Sequence, residues 1–251
     1  MSRTQLEHHW HPSPNTGPRR GVEGPELLIL HYTGMETAKA ACAWLCNPAS
    51  GVSCHYLVDE AGSITQMVDE NLRAWHAGVG RWKSCDDVNS ASIGIEIHNR
   101  GHDLGYTDFP ASQIRAVIRL CRDIIARNAI AVENVLAHSD VAPLRKKDPG
   151  EKFPWNTLHE AGIGHWVAPV PLTTDKGLTL GDRGAAVAAL VRNLSAYGYG
   201  IVPAEVFDSS IAAVVTAFQR HFRPSRVDGI ADRSTVETLQ ELLTALPRAG
   251  A

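Results

Sequence analysis

The sequence lacks both a long hydrophobic segment and an apolar N-terminal stretch. None of its apolar runs approaches the roughly 20 residues needed to cross a bilayer, so we expect no transmembrane segment. Residues 1–20 contain three prolines and the histidines His8, His9 and His11, but not the hydrophobic core of a secretory signal peptide. We therefore expect residues 1–21 to form a poorly ordered leader without a standard export signal.

The sequence also lacks an excess of charge of one sign. Its 24 Lys and Arg residues nearly balance its 27 Asp and Glu residues, which gives a formal net charge of −3. Because proteins that bind nucleic acids rely on basic patches, this balance gives no electrostatic reason to expect a nucleic-acid partner. The hydrophobic content of 44% and the charged content of 20% are typical of an ordinary globular protein.

Cysteines are few and unevenly placed. The chain has five of them, and an odd number scattered through 251 residues does not predict a disulfide framework. No second pair of cysteines or histidines stands nearby at finger spacing, so a zinc site built on cysteines is not expected. We interpret the cysteines as small buried hydrophobic residues.

From Glu26 onwards, short apolar runs alternate with helical patterns. Residues 27–30 form an uninterrupted apolar run, which is typical of a strand buried on both faces. In residues 112–128 the apolar side chains recur at helical spacing, which predicts an amphipathic helix. We predict strands at 27–30, 54–59, 63–68, 92–97 and 132–137, and helices at 35–46 and 112–128.

The C-terminal part has a different pattern. Residues 168–176 have the composition of a linker, and three aspartates, Asp182, Asp208 and Asp232, then precede helical apolar patterns as candidate helix caps. We therefore predict a leader at 1–21, a main domain at 22–167, the linker, and a helical domain at 177–251. The fold class is α/β: a mixed, mostly central β-sheet flanked by helices, followed by a small three-helix bundle.

Two histidines follow predicted strands. His31 comes directly after residues 27–30, and His138 comes directly after residues 132–137. Strand ends in α/β sheets converge on clefts, and a metal ion with three protein ligands would activate water and polarise a carbonyl there. A single histidine in such a position is more often structural, and spacing alone leaves Asp140 and Asp148 as alternative carboxylate ligands.

Glu96 is the most informative acidic residue. It interrupts the isoleucine-rich strand predicted at 92–97, where an unpaired carboxylate is costly to bury. Either a cation compensates its charge or it borders a wet active site. A glutamate next to an activated water could take a proton from it and later deliver a proton to a leaving amine.

Six ordered segments between Glu26 and Trp166 together resemble the zinc N-acetylmuramoyl-L-alanine amidases of the amidase-2 type, which are related in fold to the peptidoglycan recognition proteins. These segments are Leu30-His31-Tyr32-Thr33, Ser53-Cys54-His55-Tyr56-Leu57-Val58, Ala74-Trp75-His76-Ala77-Gly78, Ser92-Ile93-Gly94-Ile95-Glu96, Ala137-His138-Ser139-Asp140, and Arg145-Lys146-Lys147-Asp148-Pro149-Gly150 with Phe153-Pro154-Trp155 after it. Their number and order make the resemblance specific.

The resemblance implies a role for each matching residue. One Zn²⁺ per chain would be held by His31, His138 and Asp148, which selects Asp148 over Asp140. Glu96 would be the catalytic acid and base, and Lys146 would stabilise the oxyanion of the scissile carbonyl.

The substrate cleft implied by the resemblance would be lined by His55, Trp75 and His76, with the indole as a flat apolar wall. Simple core packing is an equally good interpretation of Trp75. Related sequences often have Asn-Asp-x-Ser before the isoleucine strand, whereas this chain has Asn89-Ser90-Ala91-Ser92. The difference at Ser90 removes either a carboxylate beside the cleft or a turn cap without catalytic meaning.

The tail from about Lys176 to Leu246 resembles the three-helix peptidoglycan-binding domain of cell-wall hydrolases. The matching segments include Leu180-Gly181-Asp182-Arg183-Gly184, Tyr197-Gly198-Tyr199 and Asp228-Gly229-Ile230-Ala231-Asp232. Glycine and aspartate at such positions also have purely structural explanations in turns and caps, so the tail could equally be a packing module.

The two resemblances together imply a zinc amidase that cuts between N-acetylmuramic acid and L-alanine in peptidoglycan or muropeptides, 1,6-anhydro forms included. The alternatives are a non-catalytic peptidoglycan-recognition protein and a zinc peptidase that cuts within the stem peptide. A wall-binding tail favours action in the periplasm or at the envelope, whereas the lack of a signal peptide favours the cytoplasm or a non-standard export route.

Overall fold

The computed structural model describes residues 4–247, and the remaining residues of the predicted leader and helical domain, 1–3 and 248–251, lie outside it. The strands are β1 His9–Trp10, β2 Thr16–Pro18, β3 Leu27–Tyr32, β4 Tyr56–Val58, β5 Ile64–Gln66, β6 Leu72–Ala74, β7 Ser92–Ile97 and β8 Val135–Ala137. The helices are α1 Ala38–Leu45, α2 Val88–Ala91, α3 Ala111–Asn128, α4 His138–Val141, α5 Trp155–Glu160, α6 Ala185–Tyr197, α7 Ser209–Phe222 and α8 Arg233–Ala245.

The predicted α/β class is confirmed. Six strands form one mixed sheet in the order β1-β5-β4-β7-β3-β8, in which β4, β7, β3 and β8 are parallel. The predicted hairpin is the antiparallel pair β4 and β5, and β2 pairs with β6 in a separate two-stranded sheet. The parallel order brings the carboxyl ends of β3, β7 and β8 to the same edge of the sheet.

The residues of β3 alternate between the two faces of the sheet. Leu28 and Leu30 pack in one hydrophobic cluster with the apolar side of α3, whereas Leu27 and Ile29 belong to a second cluster on the opposite face. Because side chains along a strand repeat every second residue, His31 leaves the sheet on the face of Leu27 and Ile29. The same alternation therefore directs His31 to the face opposite α3.

The neighbouring strand β7 follows the same rule. Ile93, Ile95 and Ile97 are buried in the cluster that contains α3, so Gly94 and Glu96 point to the other face. The register pairs Cα of His31 with Cα of Glu96. The isoleucine alternation in the sequence thus has a physical cause: one face of β7 packs against a helix and the other carries the site.

Within the predicted leader at 1–21, the described residues 4–21 contain two paired strands, which corrects the expectation of poor order for this part. Strand β1 pairs with β5, and β2 pairs with β6. The Ser13 hydroxyl donates to the carbonyl of Leu45, and the Asn15 amide donates to the carbonyl of Asn47. The order comes from hydrogen bonds to partners distant in the chain, so local composition gave no sign of it.

The predicted three-helix bundle is present as α6, α7 and α8. Asp208 and Asp232 cap α7 and α8 by accepting the amide hydrogens of Ile211 and Thr235, as predicted, and each such cap contributes about 1 kcal/mol. The expectation that Asp182 caps a helix is wrong, because α6 begins after Gly184 and the Asp182 carboxylate accepts from the amide of Thr179.

The bundle packs directly on the α/β domain instead of standing apart from it. One continuous hydrophobic cluster contains Leu27 and Ile29 of β3 together with Leu190 of α6 and Phe218 of α7. Residues 168–176 carry no helix or strand, yet the amide of Val170 donates to Thr238 of α8. Within residues 4–247, none of the helices combines the length and apolar character required to span a membrane.

Candidate metal centre

The structure brings together the three residues that the resemblance implies as metal ligands. His31 is at the end of β3, His138 begins α4 directly after β8, and Asp148 lies in the loop that follows α4. Their ligand atoms form a small triangle: Nδ1 of His31 is 2.9 Å from Nδ1 of His138 and 3.1 Å from Oδ2 of Asp148, and the remaining side is 2.9 Å. All three side chains are buried.

The hydrogen bonds of the two histidines decide which nitrogen atoms are free. Nε2 of His138 lies 3.0 Å from the carbonyl oxygen of Ala77, and a carbonyl only accepts, so this nitrogen carries the proton. Nδ1 of neutral His138 then presents a lone pair to the triangle. Backbone placement of Ala77 therefore fixes the tautomer that a metal requires.

A relay of side chains fixes the tautomer of His31 in the same way. The Ser92 hydroxyl donates its single proton to the carbonyl of Val88, so it accepts from Nε2–H of His76 at 3.2 Å. Nδ1 of neutral His76 then accepts from Nε2–H of His31 at 3.0 Å. Nδ1 of His31 is left with a lone pair that points into the triangle.

Three acceptors thus converge on one point, which fits a cation. Two imidazole lone pairs and a carboxylate oxygen this close repel one another unless a positive charge lies between them. A tetrahedral zinc ion bound at about 2.0–2.1 Å would separate its ligand atoms by roughly 3.3 Å, which is within a few tenths of an ångström of the observed triangle. Two histidines and one aspartate are also a ligand set that zinc accepts.

The protonation states agree with this geometry. Burial, together with the neighbouring His138, lowers the pKa of His31 to about 4. Burial opposes the charge on Asp148, but His138 and His31 outweigh it and hold the pKa of that carboxyl well below its usual range. Burial followed by the charge of nearby His31 also lowers the pKa of His76 well below its usual value. At neutral pH His31 is therefore a neutral imidazole and Asp148 a carboxylate.

Two further residues hold His76 in place. A Cβ atom added at Gly94 would lie 2.5 Å from Cγ of His76, so the close approach of the ring requires glycine there. The side-chain oxygen of Asn89 accepts from the amides of His76 at 2.9 Å and of Ala77 at 2.8 Å. Asn89 and Ser92 were not predicted as site residues, because their effect on the ligands depends on contacts between distant parts of the chain.

Glu96 lines the same cleft as His138 and Asp148 and is partly buried. Its Oε2 atom is buried and has no hydrogen-bond partner among residues 4–247. Burial, followed by the negative charge of Asp148, raises the pKa of Glu96 well above its usual range, and Lys146 partly offsets this rise. A raised pKa makes the carboxylate of Glu96 a stronger base than an exposed glutamate.

Lys146 is placed in the cleft by the short connection between His138 and Asp148. Its backbone amide donates to the carbonyl of Ala142 just after α4, and the side chain lines the cleft beside Glu96 and Asp148. It is partly buried. Lys146, Glu96 and two members of the triangle, His138 and Asp148, therefore line one cleft of about 400 Å³.

The three residues expected in the substrate cleft have different positions. Trp75 lines the cleft and is partly exposed, and His76 lines it at its base while it hydrogen-bonds His31. The expectation for His55 is corrected: its side chain is fully buried, with Nδ1 accepting from Gly94 and Nε2 donating to a backbone carbonyl. Trp44 of α1, which the sequence did not single out, also lines the cleft and is 49% exposed.

The structure distinguishes the alternatives that the sequence left open for Asp140 and Ser90. The Asp140 carboxylate lies outside the triangle and accepts from Tyr199 and His221 of the helical bundle. The Ser90 hydroxyl is fully buried and donates to Asp87, which caps α2. Ser90 therefore belongs to a turn and does not line the cleft.

Two protein families match successive parts of the chain. Residues 21–151 match the Amidase_2 family, described as N-acetylmuramoyl-L-alanine amidase, and residues 183–239 match the family described as putative peptidoglycan binding domain. The chain is 38% identical over 234 residues to the N-acetylmuramoyl-L-alanine amidase AmiD of Escherichia coli strain K12, covering 87% of this chain and 82% of that relative. It is 35% identical over 162 residues to the 1,6-anhydro-N-acetylmuramyl-L-alanine amidase AmpD of the same strain, covering 57% of this chain and 86% of that relative.

A solved structure shows that the similarity extends to the three-dimensional arrangement. The complex of AmiD from E. coli with the substrate anhydro-N-acetylmuramic acid-L-Ala-D-gamma-Glu-L-Lys has a TM-score of 0.75 and 36% sequence identity. The match covers 90% of this chain and 93% of that one, and so includes both the α/β domain and the bundle. The chain therefore belongs to the N-acetylmuramoyl-L-alanine amidase family and carries a C-terminal domain of the peptidoglycan-binding type.

Proposed function

We propose that this protein hydrolyses the amide bond between N-acetylmuramic acid and L-alanine in peptidoglycan or muropeptides, including the 1,6-anhydro form. The observation that carries the proposal is the convergence of His31, His138 and Asp148, two of which line the same cleft as Glu96 and Lys146. The names of the relatives AmiD and AmpD support the choice of bond and substrate.

We propose that the group held by the triangle is one zinc ion per chain. The donor atoms and their separations support zinc, and His76 and Ala77 supply the outer hydrogen bonds that orient the two imidazoles. When bound, zinc supplies Lewis acidity that makes water a better nucleophile and polarises a carbonyl.

Glu96 is the proton carrier of the proposed reaction. Its carboxylate removes a proton from the attacking water and later delivers a proton to the departing L-alanine nitrogen. Burial raises the pKa of Glu96, which makes its carboxylate a stronger base toward water, and the carboxylic acid formed in that step is the donor to the leaving nitrogen.

Lys146 stabilises the oxyanion that forms on the lactyl carbonyl of muramic acid. A fixed cation in a cleft shielded from water acts most strongly where negative charge develops. Trp75, which lines the cleft, offers a flat apolar surface for the sugar or the first residues of the stem peptide. We propose wall binding for the helical domain on the basis of its family match.

Two alternative functions would not give the products of an amidase. A peptidoglycan-recognition protein without activity would bind the ligand and release no product, and a zinc peptidase would cut within the stem peptide. The complete set of Glu96, Lys146 and three converging ligands favours the enzyme over the recognition protein, because binding alone needs none of these groups.

Mass spectrometry of digested muropeptides tests the proposal. The purified protein, loaded with one equivalent of zinc, should release intact stem peptides with a free L-alanine amine and a sugar product with a free lactyl carboxylate. Peptide fragments would support the peptidase, and an unchanged mixture would support the recognition protein. Parallel digests of sacculi and of soluble anhydro-muropeptides would show which substrate is preferred.

A further inference from the structure

We propose that the C-terminal helical bundle positions the metal ligands, in addition to any contact it makes with the wall. Two adjacent residues of α7, Arg220 and His221, and Tyr199 after α6 contact the segment 138–151, which contains both His138 and Asp148. These bundle residues are positioning residues for the metal centre. The inference rests on the proposed function for the role of the centre, but it makes its own prediction about metal affinity.

The first contact is made by Asp140. Its carboxylate is completely buried and accepts three hydrogen bonds. One comes from the amide of Ala137 at 2.8 Å, within the α/β domain. The other two come from the bundle: the Tyr199 hydroxyl donates to Oδ1 at 2.8 Å, and Nδ1–H of His221 donates to Oδ2 at 2.7 Å. The bundle therefore supplies two of the three donors of a buried carboxylate.

The position of Asp140 makes this contact relevant to the metal. Asp140 is two residues after His138 in α4, a helix of only four residues. A single turn has too few internal hydrogen bonds to hold its own orientation. Because the buried carboxylate joins the end of β8 to the bundle, it fixes the direction in which α4 leaves the sheet. The imidazole of His138 is aimed by that direction.

The second contact lies at the other end of the segment. Glu151, three residues after Asp148, forms an ion pair with Arg220 of α7, with Nε 3.7 Å from Oε2. The same carboxylate accepts from Nε2 of His102 at 3.1 Å, and Nδ1 of His102 lies 2.9 Å from the hydroxyl of Tyr32, which lines the cleft. The bundle thus contacts both ends of the segment that carries two ligands.

The backbone around Tyr199 is fitted closely to the α/β domain. A Cβ atom at Gly198 would lie 2.6 Å from the buried indole of Trp82, and one at Gly200 would lie 2.8 Å from Cβ of Arg81. The carbonyl of Gly198 also accepts from the amide of Lys83 at 2.7 Å. This fit holds the Tyr199 hydroxyl at a defined distance from Asp140, as a positioning contact requires.

A pair of tyrosine variants in the full-length protein tests the inference. Tyr199→Phe removes the hydroxyl that Asp140 accepts from and keeps the ring. Tyr197→Phe is the matched control, because Tyr197 is equally buried at the same interface but bonds His165. Competition with a chromogenic chelator should show zinc affinity reduced about 10-fold in Tyr199→Phe, the lower end of losses for residues that support ligands, and unchanged in Tyr197→Phe.

A pair of histidine variants provides the rescue test. His221→Leu removes the donor to Asp140, whereas His221→Asn keeps an N–H donor near the position of Nδ1, and both lose the ring that stacks on Trp155. Zinc affinity should fall in His221→Leu and recover at least partly in His221→Asn. Urea unfolding of the metal-free forms would report the stability of each variant separately from its affinity.

The outcomes separate this inference from the proposed function. If Tyr199→Phe and Tyr197→Phe bind zinc equally well, and His221→Asn behaves like His221→Leu, the positioning role is wrong, whether or not the protein is an amidase. If the affinities follow the expected pattern while digests show no amidase product, the proposed function is wrong and the positioning role stands.

Discussion

His31 and Glu96 are direct neighbours on the parallel strands β3 and β7, with their Cα atoms paired in the register. The two side chains therefore leave the same face of the sheet at the same edge, and they do so next to His138, which follows β8 on the other side of β3. This register places His31, a proposed metal ligand, beside Glu96, the proposed proton carrier. A shift of one residue would move Glu96 to the isoleucine face.

Glu96→Gln should remove most turnover and leave the metal bound. The amide keeps the shape of the side chain but cannot carry the proton, so we expect kcat to fall by about 100- to 10 000-fold. Metal content after dialysis, measured by atomic emission, should match that of the unmodified protein. Glu23→Gln, at an exposed position, is the control and should keep full activity. A near-normal kcat in Glu96→Gln would contradict the role of Glu96.

Lys146→Met should lower kcat more than it raises KM. The cation contributes where charge develops in the transition state, and losses of about 100-fold are typical for one such group. Steady-state kinetics on a soluble muropeptide would separate the two parameters, and Lys176→Met in the exposed segment before the bundle serves as the matched control. An increase in KM alone would show that Lys146 only binds substrate.

His76→Leu should weaken metal binding although His76 is not a ligand. The variant leaves Nε2 of His31 without its acceptor, so the imidazole loses the bond that fixes its tautomer. We expect zinc affinity to fall by about 10- to 100-fold, measured by competition with a chelator. His159→Leu, on α5 and distant from the relay, is the control. Equal affinity in the two variants would contradict the relay through His76 and Ser92.

The buried His55 predicts a pH dependence of stability. Burial, together with the charge of Arg19, lowers the pKa of His55 to about 3 from 6.5. Between these values the unfolded chain binds a proton that the folded chain does not, so stability falls as the pH drops, by up to about 1.4 kcal/mol per pH unit from this residue.

Urea unfolding of the metal-free protein between pH 7.5 and 5 measures this slope. His55→Gln cannot titrate, so the free energy of unfolding should decline less steeply with falling pH in the variant than in the parent. The comparison concerns the slope, which a uniform loss of stability does not change. Identical slopes would mean that folded His55 takes up a proton as readily as the unfolded chain.

Sequence patterns predicted the elements that have strong local signals. The run Leu27–Leu30, the alternating isoleucines of β7 and the helical spacing in α3 each reflect burial of a face, and burial follows from hydrophobicity. Glu96 could be found because it breaks such a pattern. The ligand set needed the resemblance, since spacing did not distinguish Asp140 from Asp148.

The features that the sequence did not predict depend on contacts between residues far apart in the chain. Ser92 can hydrogen-bond His76, and His76 can hydrogen-bond His31, only because β7 lies next to the loop that follows β6. No local sequence pattern predicts this contact between distant parts of the chain. His55 has a motif position in the family, yet the fold turns its side chain into the core. Strands β1 and β2 are two and three residues long, and their stability comes entirely from the strands they pair with.

The most direct test of the account is metal content measured together with amide hydrolysis on one purified sample. We expect one zinc per chain, loss of hydrolysis when a chelator removes it, recovery on adding back one equivalent, and neither stoichiometric zinc nor hydrolysis in His138→Ala. Full hydrolysis by protein shown to be free of metal would contradict the claim that His31, His138 and Asp148 hold the ion on which the reaction depends.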